Sequence, residues 1–267
     1  MKRPFIRPRR TGAPRFAPQT RSERQGDGLF IYGLHPALAA LANPRRQVKR
    51  ILATRNAVDR LTAAGAVLPI EPEDTDPRAL DRLLGGEAVH QGVALEVAPL
   101  DNPPLSSLAE ARLVVVLDQV TDPHNVGAVM RSAVAFDADA IIVTARHAPA
   151  ETGVLAKAAS GALDLLPVIA VQNLARALAE LAEFGFTRVG LAEDAPMPIE
   201  EAIAGERIAI VLGAEGKGLR HLTRQTCDRL ARLTTSTKLG SLNVSNAAVL
   251  ALYLARRSLG PAAGKAT

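Results

Sequence analysis

The chain has 267 residues, 48% of them apolar, with 3% aromatics, no tryptophan and a formal net charge of +5. This length suits one large domain or two small ones with a substantial core, and the shortage of aromatics argues against a site built on stacking many bases. One cysteine, Cys227, excludes an intrachain disulfide, and no apolar run approaches the ~18 residues that cross a bilayer. The first residues lack the apolar core of a secretory signal, so a soluble cytoplasmic protein with no membrane partner is expected.

The charge is uneven. Residues 1–28 carry Lys2, Arg3, Arg7, Arg9, Arg10, Arg15, Arg21 and Arg24 against Glu23 and Asp27, a net +6 that leaves −1 for the rest. Pro4, Pro8, Pro14 and Pro18 punctuate this arm, which has too few apolar residues to offset its chain entropy, and disorder is expected. An electrostatic tether for nucleic acid, a solvated tail and an Arg-rich transit peptide are the three readings it allows.

Beyond the arm, Leu29–Tyr32 reads as a strand and Gly33 opens a helix through Leu41. Val48–Ala53 is a strand, 56–64 a helix, Val67–Ile70 a short strand, Ala79–Leu84 a helix stopped by Gly85 and Gly86, and Val93–Val97 a strand. Residues 29–98 thus form a small α/β unit. Pro99, Pro103 and Pro104 with Asp101 and Asn102 then break all periodicity and mark a linker over 99–111.

From 112 to 267 the pattern is more regular. Leu113–Leu117, Ala140–Val143, Leu165–Ala170, Thr187–Leu191 and Ile208–Leu212 read as buried strands. Helices are expected at about His124–Phe136, 172–183 and Asn243–Arg257. This predicts an α/β fold with a doubly wound parallel sheet, whose ligands bind beyond the C-terminal ends of the strands. No internal repeat is visible.

Three polar clusters fall at that edge. In the first, Asp118 to Arg131, Asn125 is explicable as a helix cap. Arg131 follows Gly127 by four residues on one helix face, and an arginine beside a bare patch suits an anion. In the second, Gly213-Ala214-Glu215-Gly216-Lys217-Gly218, three glycines let backbone approach a ligand. The spacing fits neither a P-loop nor a dinucleotide fingerprint, and Glu215 would repel a phosphate; a cationic ligand or Arg131 suits it better. The third, Ser241-Leu242-Asn243-Val244-Ser245, opens the last helix, with Asn243 as its cap. Five scattered histidines and one cysteine give no metal-ligand spacing, so no metal is expected.

Together these clusters resemble the three motifs of the SpoU (TrmH-type) methyltransferases, members of the knotted SPOUT superfamily. Tyr32-Gly33-Leu34-His35-Pro36, His90-Gln91-Gly92-Val93-Ala94 and Lys157-Ala158-Ala159-Ser160-Gly161-Ala162 are similar to the branch that methylates guanosine 2′-oxygens of 23S rRNA. The likeness covers about residues 29–258. It implies a SPOUT methyltransferase domain with a C-terminal trefoil knot, preceded by a ribosomal-protein-like RNA-binding domain. It also implies S-adenosylmethionine as cofactor, a homodimer, and RNA, most specifically rRNA, as substrate. Carried over by position, the catalytic residues are Arg131, Glu215, Asn125, Ser241 and Asn243. The cofactor contacts are Leu212, Gly213, Gly216, Leu233 and Leu242. The chain departs from the family at Leu233–Thr237, which lacks the usual Pro and Gly before the third motif. The same chemistry on tRNA or another rRNA site, and a non-catalytic RNA-binding assembly factor, are the competing functions.

Deleting residues 1–28 is expected to weaken RNA binding and to flatten its dependence on salt, measured by titration over a range of ionic strength. An unchanged slope would assign the arm no role in binding.

Overall fold

The computed structural model describes residues 28–146, 151–236 and 242–260. The arm therefore lies outside the described residues, apart from Gly28. The first unit comprises β1 (Leu29–Tyr32), α1 (Leu34–Ala42), β2 (Val48–Ala53), α2 (Arg55–Ala63), β3 (Glu73–Asp74), α3 (Pro77–Leu84) and β4 (Val93–Val97). Its sheet runs β1-β4-β2-β3, with β4 antiparallel to both neighbours and β3 parallel to β2.

The expected strand at Val67–Ile70 does not form. Val67 is 79% exposed, and Pro69 has no N–H to give a ladder. The chain pairs with β2 only farther on, at Glu73 and Asp74. α3 starts earlier than periodicity suggests because Asp76 caps it, accepting from the Ala79 N–H at 2.9 Å, with Pro77 in the first turn.

The second unit comprises β5 (Leu113–Asp118), α4 (Pro123–Ala135), β6 (Ala140–Thr144), α5 (Gly153–Ala159), α6 (Ala162–Leu165), β7 (Val168–Val171) and α7 (Leu174–Glu183). It continues with β8 (Thr187–Leu191), β9 (Met197–Pro198), α8 (Ile199–Ala202), β10 (Ile208–Gly213), α9 (His221–Thr226), β11 (Arg229–Arg232) and α10 (Val244–Leu259). The strands form one sheet in the order β7-β6-β5-β10-β8-β11-β9, parallel at every pairing. The expected strand at Leu165–Ala170 starts late: Leu165 closes α6 and is 60% exposed. Leu166, held extended by the following Pro167, then leads into β7. The short strands β9 and β11 escape sequence reading because Arg229-Leu230-Ala231-Arg232 carries charge at both ends and Met197-Pro198 is only two residues long.

Burial on both faces explains the apolar runs. Along β5, Leu113, Val115 and Leu117 join the core beneath α4 and α10, while Val114 and Val116 join the core beneath α7. The larger core does not stop at the domain boundary. It runs unbroken from Ile31, Ile51 and Leu95 of the first unit to Leu155 and Leu163 of the second. Small residues permit this approach: a Cβ on Gly153 would lie 2.6 Å from the Tyr32 ring, and one on Gly161 2.9 Å from Ala39 Cβ.

A buried polar clasp secures the junction. Arg46 donates through Nε to Asp164 at 2.7 Å, and through Nη1 to Glu151 and to the Ala98 carbonyl. Asn43 adds a 3.0 Å bond to Asp164. Removing one partner of such a pair leaves an uncompensated buried charge. Asp164→Ala is expected to lower the unfolding free energy by about 3–5 kcal/mol in a urea titration. A loss below about 1 kcal/mol would show that the clasp is not structural.

Candidate functional site

β5 and β10 lie side by side, with Asp118 opposite Gly213 at their C-terminal ends. The turns that leave these two strands build the site. After β5, Gln119 takes a left-handed backbone (φ 63°) and turns the chain out of the sheet. Asp122 then caps α4, accepting from the His124 N–H at 3.1 Å. Asn125 is therefore not the cap, and its side chain is free for other work.

After β10 the chain doubles back. The Gly218 N–H donates to the Ala214 carbonyl at 2.8 Å, and Gly216 and Gly218 both have positive φ. A Cβ on Gly213 would sit 2.2 Å from the Gly218 carbonyl carbon, so glycine is required there by the turn itself. Asp118, 1% exposed, fastens this turn to β5. Its carboxylate accepts from the Arg220 N–H at 3.0 Å and from Arg220 Nε at 2.6 Å. Sequence reading gave neither residue a role, although an Asp ending an otherwise apolar strand was the available signal.

The turn holds out Glu215, and two sequence-distant segments meet on it. Its Oε1 accepts from Asn243 Nδ2 at 2.5 Å, from Asn125 Nδ2 at 3.3 Å and from the Val244 N–H at 3.4 Å. Asn243 Nδ2 also donates to Asn125 Oδ1 at 3.1 Å, while Asn243 Oδ1 caps α10 by accepting from the Ser245 N–H at 2.8 Å. Asn125, Glu215 and Asn243 thus form one hydrogen-bonded cluster.

Arg131 is not part of it. It projects from α4, exposed, with no hydrogen bond or ion pair to a described residue, so the expected Glu215–Arg131 pair is absent. The expected bare patch beside it is absent too. Gly127 is buried against α5, where a Cβ would meet Ala158 Cβ at 2.5 Å. Glycine at 127 serves helix packing and leaves no opening for an anion.

Of the expected cofactor contacts, the Leu212 side chain is 1% exposed and belongs to the core, which leaves only its backbone to meet a ligand. Leu233 and Leu242 are half-buried, Gly216 is exposed with open space where a Cβ would stand, and Ser241 lies outside the described residues, as does Thr237. β8 pairs with β10 only as far as Val211, so the Gly213 peptide, which faces that side, has no strand partner there, whereas Leu212 stays paired with β5. A peptide without a strand partner beside half-buried leucines offers a ligand both polar and apolar contacts. Cys227 is no candidate nucleophile, because burial pushes its thiol up to about 12 and keeps it protonated. Among the described residues no group of three or more His, Cys, Asp or Glu could hold a metal, and no helix is long and apolar enough to cross a membrane.

Asn243→Asp removes both amide donors and sets a second carboxylate against Glu215. Faster amide hydrogen exchange at Val244–Ala247 is expected, with a stability loss of about 1 kcal/mol. Wild-type exchange there would show that the cluster does not hold the helix start.

Residues 112–253 match the model of the SpoU rRNA Methylase family, and residues 30–103 match that of RNA 2′-O ribose methyltransferase substrate binding. The 23S rRNA (guanosine-2′-O-)-methyltransferase RlmB of Pseudomonas putida is 37% identical over 238 residues, covering 85% of this chain and 95% of that protein. The enzyme of the same name from Nitrosomonas europaea is 38% identical over 235 residues, covering 84% and 89%. Among solved structures, the SpoU methyltransferase AviRb from Streptomyces viridochromogenes superposes with a TM-score of 0.73 at 22% identity, covering 87% of this chain and 90% of that one. AviRb has also been solved in complex with the cofactor AdoMet, and that structure gives a TM-score of 0.72 at 23% identity over 86% and 90% of the two chains.

Proposed function

We propose, for a chain that belongs to the SpoU rRNA methylase family, that it transfers a methyl group from S-adenosylmethionine to the ribose 2′-hydroxyl of a guanosine in 23S rRNA. The observation that carries the reading is the meeting of Asn125, Glu215 and Asn243 on one carboxylate oxygen, with Arg131 left unpaired on the same helix as Asn125. The names of the relatives support the substrate, and the match of residues 30–103 to a substrate-binding family supports an RNA-holding role for the first unit.

The cofactor supplies an electrophilic methyl group. The Leu212–Gly216 backbone with Leu233 and Leu242 would hold it, and the Gly213 peptide, without a strand partner on the β8 side, supports that assignment. What remains for the protein is to align the ribose oxygen and help it lose its proton. A guanidinium offers five N–H donors and no acceptor, which makes Arg131 a poor base. Its role is electrostatic: it holds the hydroxyl and the adjoining phosphate and stabilises the oxyanion as it develops. Glu215 orients Asn125 and Asn243 rather than Arg131, because its Oε1 is already shared among three donors. Ser241, at the edge of the same loop, contributes to holding the nucleotide. The trefoil knot belongs to this reading, supported by the return of the chain after β11 to Glu215 and onto α4.

The protein works as a homodimer through α10. Val249, Leu250 and Tyr253 are exposed on this helix, whose opposite face fills the core with Ala248, Ala251 and Leu252.

Arg131→Ala is expected to reduce methyl transfer to unmodified 23S rRNA by at least about 100-fold, a loss typical of removing one oxyanion donor. Cofactor affinity, measured by calorimetry, should stay within about twofold. Near wild-type turnover would overturn the assignment. Mass-spectrometric mapping of ribose methylation in rRNA and tRNA from a deletion strain should show one 2′-O-methylguanosine missing from 23S rRNA, and a loss in tRNA would reassign the substrate.

A further inference from the structure

A second polar cavity opens on the far side of the Gly213–Gly218 turn, against the core face that carries α7. It holds about 240 Å³ and is lined by Gln172, Asn173, Leu174, Ala175, Arg220, Leu222 and Thr223. At roughly 30 Å³ per water, it has room for a phosphate group and its hydration.

Its donors all point to an anion. α7 is ten residues long, and its N-terminus forms one wall. Asn173 Oδ1 caps the Arg176 N–H at 3.1 Å, while the N–H groups of Leu174 and Ala175 have no acceptor within the helix. The positive end of the helix dipole therefore faces the cavity. Arg220 forms the opposite wall. Its Nε and backbone N–H are engaged by Asp118, but its two Nη groups make no hydrogen bond or ion pair to a described residue.

Thr223 is the independent observation. It lines the cavity, is 1% exposed, and its hydroxyl has no hydrogen-bond partner among the described residues. Arg46 Nη2 is the single sealed side-chain polar atom among those residues that lacks a partner. The Thr223 hydroxyl is thus not sealed, and the cavity is where it opens.

We propose that this cavity receives a backbone phosphate of the RNA, a short distance along the strand from the methylated ribose. The proposal rests on the RNA-methylating function above. Arg220 follows by two residues the turn that carries Glu215, so a strand with its ribose at the Asn125–Glu215–Asn243 cluster crosses the turn to reach the cavity. The phosphate accepts from the free N–H groups of α7, the Arg220 Nη groups, the Thr223 hydroxyl and the Gln172 amide. Arg220 thereby has two tasks: one edge fastens the turn to Asp118, the other holds substrate.

Arg220 itself is a poor probe, because removing it strands the buried Asp118 carboxylate. Thr223→Val keeps the packing and removes the hydroxyl, and Gln172→Glu sets a negative charge at the exposed mouth. With full-length protein and in vitro transcribed 23S rRNA, each is expected to raise KM for RNA by roughly 3- to 20-fold, with kcat and cofactor affinity unchanged. The Gln172→Glu variant should also lower the salt slope of RNA binding by about one unit. Wild-type KM and slope in both variants would overturn the proposal. So would inorganic phosphate that binds the wild-type protein without competing with RNA, which would mark a free-anion site. If the wild-type protein methylates no RNA but binds it with a slope that Gln172→Glu lowers, the cavity assignment stands and the catalytic reading fails.

Discussion

Glu215 Oε1 accepts from Asn125 Nδ2, Asn243 Nδ2 and the Val244 N–H, and the candidate site is organised around that shared oxygen. The donors come from the start of α4, the loop before α10 and the first residue of α10. Charged acceptors make the stronger hydrogen bonds, so one carboxylate can gather loops that no backbone ladder joins. The carboxylate is in place because the turn that carries it is constrained twice. Gly213 lets the chain fold back on itself, and the buried Asp118 ties Arg220 to the end of β5. Each constraint begins at the C-terminal edge of the parallel sheet, which is where such folds bind ligands.

Under the proposed function, this arrangement separates positioning from chemistry. The cluster residues satisfy one another, whereas Arg131, farther along the helix that carries Asn125, is exposed and without a partner among the described residues. A side chain that must meet a substrate cannot be consumed by the protein. The same division appears at Arg220, with one edge of its guanidinium fixed and the other free. The rigid elements behind them explain how exposed side chains keep a defined aim. α4 is held so closely to α5 that no side chain fits at Gly127, and α10 packs on α4.

The first unit is not a loosely tethered module. Its core is continuous with that of the second, and Arg46 reaches across to Glu151 and Asp164 with its side chain fully buried. A buried charge with two acidic partners resists separation, because opening the junction would leave it unpaired before water arrives. Under the proposed function, an RNA held by the first unit would therefore meet the candidate site at a set distance and angle.

Much of this was legible in the sequence. The apolar runs of β5, β6, β8 and β10 announce strands buried on both faces, and polar clusters at strand ends announce a site, because both are local patterns with a local cause. The three motif segments were recognisable only through their resemblance to the SpoU methyltransferases. Tertiary structure alone decided which side chains touch. Glu215 joins two asparagines instead of Arg131, since the turn aims it across the sheet edge. Gly127 and Gly213 are glycines because backbone and neighbouring helix already fill the space of a Cβ. The strand foreseen at Val67–Ile70 fails because nothing covers Val67, and the cavity at Thr223 arises only where α7 and α9 meet. Periodicity records which face of an element is buried; the identity of what lies against that face depends on contacts between residues far apart in the chain, and those exist only in the folded state.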